Sequence, residues 1–370
     1  MRMKNNAKNY IIIGVFALVI FAFAVMHVVI PDAETSRAER RKLAQMPEIT
    51  WAGIFSGDYM EELETYLLDQ FPLRDTFRGV NAMLKTYVLG QSDNNDIFIY
   101  NGGIYKVEAE LDEKQVQMGA NKIDSITDKF LEGMNVYYSI IPDKNYFIAG
   151  ESGRPALEYD KLLSIMNEGV NNAQYIDIFD TLTIDDYYRT DTHWSQDCIF
   201  PVVEKLAGEM GILDCITPYE DYTPHTLAPF YGVYLGQSGL PVTPDTITYM
   251  QSEDTMSAVV TSAEYAGKKN VYELSDFEKL DGYDVFLGGA QALLTIECPN
   301  ARSDKELYIF RDSFGSSLTP YLTGAYSKIT VIDLRYVNSM MLGNLVQFTP
   351  GSDALFIYST TLLNSAAILK

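Results

Sequence analysis

The 370-residue sequence predicts an α/β domain that follows a single transmembrane helix. Residues 10–30 contain no Asp, Glu, Lys or Arg, and further along the chain short apolar strands alternate with helical segments. Such alternation favours parallel strand pairing in a sheet covered by helices. A stretch rich in Tyr, Thr, Pro and Gly at about 219–276 predicts a mainly β insertion within this domain.

The apolar segment at residues 10–30 is the predicted membrane anchor. At about 1.5 Å of rise per residue, it is long enough for a hydrocarbon core of ~30 Å. A cleaved signal peptide is the alternative, but that requires a shorter apolar region and a small-residue cleavage motif. Neither is evident in residues 21–32, so an uncleaved anchor is favoured.

The orientation of the anchor depends on the basic residues that flank it. They lie on both sides, at Arg2, Lys4 and Lys8 before the segment and at Arg37, Arg40, Arg41 and Lys42 after it. The first group is closer to the segment and lies in a short tail, so we expect the N-terminus in the cytoplasm and the domain outside. The predicted organisation is a tail (1–9), the anchor (10–30), a juxtamembrane helical segment (31–90) and an α/β domain (91–370).

Composition excludes some classes of function. A formal net charge of -22 argues against nucleic acid as a partner, because binding phosphates requires clustered Lys and Arg. The three cysteines, Cys198, Cys215 and Cys298, are too few and too irregularly spaced for a disulfide framework or a structural zinc site. Three buried thiols are the favoured interpretation, and a Cys198–Cys215 bridge is the alternative. We expect no metal and no cofactor.

Apolar periodicity predicts the order of the elements. Residues 59–89 favour two helices separated at Pro72, and residues 97–107 favour a β-hairpin. Helices are expected at 112–134 and 157–170, and the expected strands lie at 136–141, 175–178, 285–287, 307–310, 329–332 and 354–358.

Only three histidines occur, and His27 lies in the anchor, which leaves His193 and His225 as possible bases. Asp191 precedes His193 by two residues, whereas His225 has no such polar setting. Ser313 follows a predicted strand and precedes a predicted helix, whose N–H groups can face a developing oxyanion. These residues suggest a Ser-His-Asp triad, although His193 in a purely structural role in a buried loop is the alternative.

The segment Asp191-Thr192-His193-Trp194 resembles the motif of the DHHW protein family and of the related alginate O-acetylation proteins. Further similar blocks occur in the family's order, at residues 40–44, 69–75, 141–144, 285–289, 311–314 and 332–336. The resemblance implies an SGNH-hydrolase-like, three-layer α/β/α sandwich. In this fold the Asp-x-His element precedes the serine, which is a circular permutation of the usual order.

By this resemblance, Ser313 is the expected nucleophile, His193 its base and Asp191 the carboxylate that orients the base. Thr192 replaces the second histidine of the family name, at a position that also varies in the alginate-type proteins. Arg311 stands where short-chain esterases carry Gly before Asp-Ser, and it is a candidate for contact with oxyanion or substrate.

Gly288, Gly289 and Gln291 occupy the place where the family tends to have Gly-Gly-Asn, so they are oxyanion candidates with Gln291 as a replacement donor. Lys144 is a candidate for substrate contact, with a surface ion pair as the alternative. Trp194 is expected to be a packing anchor of the histidine loop, with a substrate platform as the alternative.

The resemblance implies a membrane-anchored O-acyltransferase, most simply an O-acetyltransferase, that modifies an extracytoplasmic glycan or cell-envelope polymer. A membrane-bound O-acyltransferase partner is the implied source of the acyl group. Two alternatives remain open. One is a carbohydrate esterase that transfers the acyl group to water, and the other is a non-catalytic accessory or binding subunit.

Overall fold

The computed structural model describes residues 2–36, 39–91, 93, 96–240 and 242–370. Met1 of the predicted tail and Arg37 of the basic flank lie outside the described residues. The chain forms two compact units, one of residues 1–94 with 239–241 and the other of residues 95–238 with 242–370.

The first unit is mainly helical. It contains α1 (Arg2–Val29), the short pair β1 (Thr35–Ser36) and β2 (Arg41–Lys42), α2 (Trp51–Ser56), α3 (Asp58–Asp69), α4 (Arg74–Met83) and a π-helical turn (Leu84–Val88). Pro72 separates α3 from α4, which confirms the two expected helices. Within α1, Ala7–Val29 is a 23-residue stretch that is long and apolar enough to cross a membrane.

The second unit has eleven described strands and nine described α-helices. Its strands are β3 (Ile97–Tyr100), β4 (Gly103–Lys106), β5 (Asn135–Ile141), β6 (Gln174–Tyr175), β7 (Thr223–Phe230), β8 (Asp245–Gln251), β9 (Val259–Ser262), β10 (Leu293–Glu297), β11 (Glu306–Arg311), β12 (Lys328–Ile332) and β13 (Asp353–Ser359). Its helices are α5 (Glu113–Phe130), α6 (Lys144–Ser152), α7 (Tyr159–Gly169), α8 (Phe200–Glu209), α9 (Val233–Ser238), α10 (Glu253–Ser257), α11 (Phe314–Leu318), α12 (Leu342–Leu345) and α13 (Thr360–Leu363).

The central sheet has seven strands in the order β6-β5-β13-β11-β12-β10-β9. The first five pair in parallel, and β10 and β9 add antiparallel strands at one edge. The carboxyl ends of β5, β13 and β11 therefore share one edge of the sheet, which is where open α/β sheets place their ligands. β9 arises from the predicted β insertion, while β7 and β8 pair separately.

Helices cover both faces of this sheet. Side chains alternate between the faces along β11, so Leu307 and Ile309 join one core, which includes residues of α8, while Tyr308 and Phe310 join the other, which includes residues of α5 and α7. This arrangement confirms the expected three-layer α/β/α sandwich.

The strand predicted at 285–287 is wrong. Residues Gly282–Val285 form a 3₁₀ turn instead, in which the Asp281 side chain accepts a hydrogen bond from the Tyr283 N–H. Leu287, Gly288 and Gly289 then adopt positive φ angles of 60°, 70° and 80°, which no strand accommodates. The apolar residues 285–287 are therefore buried, but in a turn and not in a strand.

The three cysteines are free thiols, so the structure does not contain the alternative Cys198–Cys215 bridge. Cys298 is buried, as expected, but Cys198 and Cys215 are only partly buried.

Candidate active site

Ser313 lies in the turn between β11 and α11, at the carboxyl edge of the sheet. The preceding Asp312 is buried and fixes this turn, because one carboxylate oxygen accepts from the Phe314 N–H at 3.0 Å and the other from the Ser359 N–H at 2.8 Å. The serine therefore stands on a turn that is tied to two adjacent strands.

His193 connects Ser313 to Asp191. The distance from His193 Nε2 to Ser313 Oγ is 2.7 Å, and that from His193 Nδ1 to Asp191 Oδ1 is 2.6 Å. Asp191 is fully buried, and its Oδ2 accepts from the Val233 N–H at 2.7 Å. A buried carboxylate accepts a hydrogen bond from a protonated Nδ1, which leaves Nε2 free to accept from the serine hydroxyl. The structure thus brings the three predicted triad residues together.

Aromatic side chains hold the imidazole in place. The Tyr283 ring stacks on the His193 ring with centroids 3.9 Å apart and an interplanar angle of 9°. The Tyr283 hydroxyl donates to Ser317 Oγ at 2.8 Å, and burial raises the pKa of Tyr283 and so keeps this donor protonated. Trp194 is fully buried and donates to Ser317 Oγ at 2.9 Å and to the Phe314 carbonyl at 3.2 Å. Trp194 therefore ties the histidine loop to α11.

Lys144 lies beneath the loop that carries Asp191. Its ammonium donates to the carbonyls of Tyr188 (2.7 Å), Ile104 (2.8 Å), Asp191 (3.0 Å) and Arg189 (3.2 Å). The side chain is buried, so the surface ion pair considered from the sequence is wrong. Burial lowers the pKa of Lys144 to about 7, against the opposing effect of the Asp191 carboxylate. Contact with substrate stays a prediction.

The Thr190-Asp191 backbone also packs tightly against Gly232. A Cβ on Gly232 would lie 2.2 Å from the Thr190 carbonyl oxygen and 2.5 Å from the Asp191 nitrogen. Asp245 holds the same backbone from another side, because its Oδ2 accepts from the Thr190 N–H at 2.7 Å and from the Thr190 hydroxyl at 2.5 Å. The position of Asp191 is therefore set by residues more than 40 positions away in the sequence.

The oxyanion candidates form a turn next to Arg311. Gln291 donates its side-chain amide to the Gly288 carbonyl at 3.2 Å, so this turn already engages the predicted replacement donor. Arg311 is fully buried and donates to the Gly289 carbonyl at 3.3 Å. Burial lowers the pKa of Arg311, while the Asp333 carboxylate, 3.4 Å from its guanidinium, opposes that effect. Arg311 thus joins β11 to the turn, and the oxyanion donors stay predictions.

A family model for the DHHW protein matches residues 145–332, which is more than half of the chain. The chain belongs to the DHHW protein family.

Solved structures with a similar fold include a DHHW family protein from Eubacterium siraeum, with a TM-score of 0.61 and 19% identity over 75% of this chain and 95% of that one. Bacillus cereus PatB1 has a TM-score of 0.57 and 18% identity over 73% of this chain and 97% of its own. PatB1 with a sulfonyl adduct has a TM-score of 0.56 and 17% identity over 72% and 94%. At these identities the likeness shows the fold, and no curated protein sequence matches the chain.

In this DHHW protein, Asp191 and His193 both match the family name. They are also the two residues that form the hydrogen-bonded series with Ser313. Thr192, which departs from the name, is half-buried and takes part in neither of these two hydrogen bonds. The substitution therefore leaves the hydrogen-bonded series complete.

Sequence reasoning missed the supports of the triad, namely Gly232, Val233, Asp245 and Tyr283. The pattern of the sequence gives no signal for them, because each acts through a contact distant in the chain. Within the described part of the chain, no group of three or more His, Cys, Asp or Glu side chains is placed to hold a metal ion.

Proposed function

We propose that this DHHW protein is a membrane-anchored O-acyltransferase that works through an acyl-serine at Ser313. The hydrogen-bonded series from Asp191 through His193 to Ser313, with both distances below 2.8 Å, is the observation that supports it most strongly. This is the arrangement in which a weak serine nucleophile is activated by an adjacent base.

In the first step, His193 Nε2 takes the hydroxyl proton as Ser313 Oγ attacks the carbonyl carbon of an acyl donor. The tetrahedral intermediate collapses, the bond to the leaving group breaks, and His193 returns the proton to that group. The Asp191 carboxylate stabilises the imidazolium and keeps its proton on Nδ1. The product is an ester of Ser313.

In the second step, His193 takes the proton of an acceptor hydroxyl, whose oxygen attacks the acyl-serine carbonyl. The bond to Ser313 Oγ breaks, Oγ recovers the proton through His193, and the acceptor leaves as an ester. By family resemblance we propose an acetyl group and an extracytoplasmic glycan or cell-envelope polymer as acceptor.

Membrane anchoring is part of the proposal. α1 contains a 23-residue stretch that can span a bilayer, and we place its N-terminus in the cytoplasm and the α/β domain outside. Acyl donors such as acetyl-CoA are cytoplasmic, so an outside domain depends on a membrane-bound O-acyltransferase partner to deliver the group. Tethering both proteins in one membrane raises their effective concentration.

A carbohydrate esterase is the second candidate, and the exposure of the serine favours it. Ser313 is only partly buried, so water has access to the acyl-serine. Transfer to a sugar requires that the acceptor exclude this water.

The test uses the full chain in detergent micelles with p-nitrophenyl acetate, and intact-protein and peptide mass spectrometry. We expect acetylation at Ser313, its absence in Ser313→Ala, and a large slowing in His193→Ala. Ser164→Ala on α7 is the matched control, because α7 packs on the face of the sheet opposite to that of α11. Equal labelling of parent and Ser313→Ala would refute the acyl-serine.

The acceptor is tested by adding oligosaccharides, with and without acetyl groups of their own, to the protein that is acetylated at Ser313. Transfer of the acetyl group to sugar at a rate above its release as acetate supports the transferase. Release as acetate alone, unchanged by sugar, supports the esterase. A phenylmethanesulfonyl fluoride arm gives a second chemical probe, suggested by the sulfonyl adduct of PatB1.

A further inference from the structure

Helix α4 exposes its apolar face. Leu73, Phe77, Val80 and Leu84 recur at helical spacing, and their exposed fractions are 58%, 48%, 57% and 48%. In a water-soluble protein the apolar stripe of such a helix packs against a core. Here the orientation is reversed.

The polar face of α4 points inward instead. Arg74 lies 2.7 Å from the Glu39 carboxylate, and Arg78 pairs with the same carboxylate. Arg41 bridges two carboxylates. It donates to Glu39 at 2.6 Å, and two of its nitrogens donate to Asp69 at 2.8 and 2.5 Å. Hydrogen bonding to Arg41 lowers the pKa of Asp69 to about 2, so this cluster stays ionised. The two carboxylates of this cluster are therefore largely buried, whereas the apolar side chains of α4 are exposed.

Large apolar side chains are also exposed on α2 and α3. Trp51 and Phe55 on α2 are 77% and 84% exposed, and their rings lie 6.3 Å apart. On α3, Met60 and Leu67 lie on one face, seven residues apart, and are 62% and 44% exposed. Three successive helices therefore present apolar faces, which is more than the scattered exposure of single hydrophobic residues on ordinary protein surfaces.

The part of this apolar surface at α4 is continuous with the candidate membrane span. The ring of Phe23, inside α1, lies 5.3 Å from the ring of Phe71 and 5.8 Å from that of Phe77. Phe23 precedes the end of α1 at Val29 by six residues, which is about 9 Å along the helix axis. If α1 spans a bilayer, Phe71 and Phe77 lie at the depth of the adjacent acyl chains.

We propose that residues 51–89, the collar, lie in the boundary between headgroups and acyl chains of the leaflet at the C-terminal end of α1. Apolar faces of interfacial helices bury about 5–10 Å into this boundary, which matches the depth of Phe23. The inference rests on the proposed anchoring and goes beyond it, because the collar is a second, non-spanning contact with lipid. Tryptophan is enriched at this level of membranes, where Trp51 would lie.

The charged residues of the collar indicate which kind of lipid headgroup it accepts. Glu61 and Glu62 of α3 line a groove against residues 44–47, and helical spacing places them away from Met60 and Leu67. Acidic side chains gain nothing from anionic headgroups, so apolar burial supplies the affinity. The collar therefore fits a neutral bilayer surface at least as well as an anionic one.

The chain contains two tryptophans, one in the collar and one fully buried, which provides a native probe. The full-length protein is reconstituted in phosphatidylcholine vesicles with and without brominated acyl chains, which quench tryptophan on contact. We expect bromine to reduce the emission of the parent and to leave Trp51→Phe, which retains only Trp194, unchanged. Equal quenching of both proteins would contradict the collar.

Depth is tested with tryptophans introduced into the Trp51→Phe background. Phe77→Trp reports on the collar and Phe16→Trp on the middle of α1, and we expect lipid bromine to quench both. Quenching for Phe16→Trp without quenching for Phe77→Trp or for Trp51 would overturn the collar while retaining the anchor, and would mean that protein covers this face. Absence of quenching for Phe16→Trp would refute the anchor and the collar together. Neither result bears on acetylation of Ser313.

Discussion

Gly232→Ala tests whether the backbone around Asp191 controls the triad. A Cβ at this position would lie 2.2 Å from the Thr190 carbonyl oxygen, whereas ordinary van der Waals contact begins at 3.4 Å. The two backbones must therefore separate by about 1 Å, since packed interiors have little free space to absorb the strain. Asp191 is the next residue in the displaced segment.

The expected cost follows from the geometry of the triad. A displacement of about 1 Å would lengthen the 2.6 Å contact between Asp191 Oδ1 and His193 Nδ1 beyond hydrogen-bond range. Misplacements of this size cost roughly 10²-fold in rate, equivalent to about 2.7 kcal/mol in the activation barrier. We expect Ser313 acetylation to slow by this factor.

The assay is single-turnover acetylation of Ser313 by p-nitrophenyl acetate, with thermal unfolding measured on the same samples. Gly208→Ala is the matched control, because Gly208 lies in α8 and a Cβ there meets nothing within 4 Å. That control should keep the parent rate and gain roughly 0.5–1 kcal/mol of stability. Parent-like acetylation by Gly232→Ala would refute the argument from the Thr190-Asp191 backbone.

Val233→Pro gives an independent test of the same segment. Val233 begins α9, a position at which proline is tolerated, and the substitution removes the N–H that donates to Asp191 Oδ2 at 2.7 Å. We expect a slowing of about 10- to 100-fold, equivalent to the roughly 1.5–3 kcal/mol contributed by a hydrogen bond to a charged group. A parent-like rate would show that this N–H does not position the carboxylate.

Three further changes test the site. Asp191→Asn should slow acetylation of Ser313 by on the order of 10⁴-fold with little loss of stability, because it favours the wrong imidazole tautomer; a loss below tenfold would exclude the assigned role. Tyr283→Phe keeps the ring on His193 and should retain most activity, whereas Tyr283→Leu should lose it; equal rates would exclude the stacking argument. Lys144→Met should lower stability by about 1–3 kcal/mol for each carbonyl left unsatisfied. The pKa of Lys144 is about 7 in the folded protein and about 10.5 in the unfolded chain. Between these two pH values the unfolded chain therefore binds more protons than the folded protein. As a result, the contribution of Lys144 to the free energy of unfolding rises with pH. The difference in melting temperature between parent and Lys144→Met should therefore widen from pH 7 to 10, and a constant difference would exclude the shift.

The sequence was sufficient to predict the parallel strands of the sheet and the three residues that form the hydrogen-bonded series, for two physical reasons. Parallel strands such as β11 and β13 are buried on both faces and therefore appear as continuous apolar runs. Histidine is scarce in this chain, so the one copy beside a carboxylate was easy to select. Residues 59–89 of the collar were equally visible as helical periodicity, but periodicity alone does not state whether an apolar face meets a core or a membrane.

The apolar run at 285–287 was misassigned as a strand because local propensity does not register the positive φ angles that begin at Leu287. Strand β10 was missed because its burial alternates, so it lacks the continuous apolar run that marks the buried parallel strands. The burial of Lys144 was not predicted, because charged side chains usually lie at the surface. Four carbonyl acceptors, assembled only by the fold, make its burial tolerable.

The two ends of the hydrogen-bonded series are therefore supported in different ways. Ser313 depends on its neighbour Asp312 and on the end of β13, so its position follows from the sheet itself. Asp191 instead lies in a loop whose shape is set by Lys144, Gly232 and Asp245. A homologue that retains Asp-x-His and Asp-Ser but lacks these distant supports should fold and yet acylate its serine poorly. Under the proposed mechanism, the short motifs supply the reacting groups, and the loop contacts determine whether these groups can react.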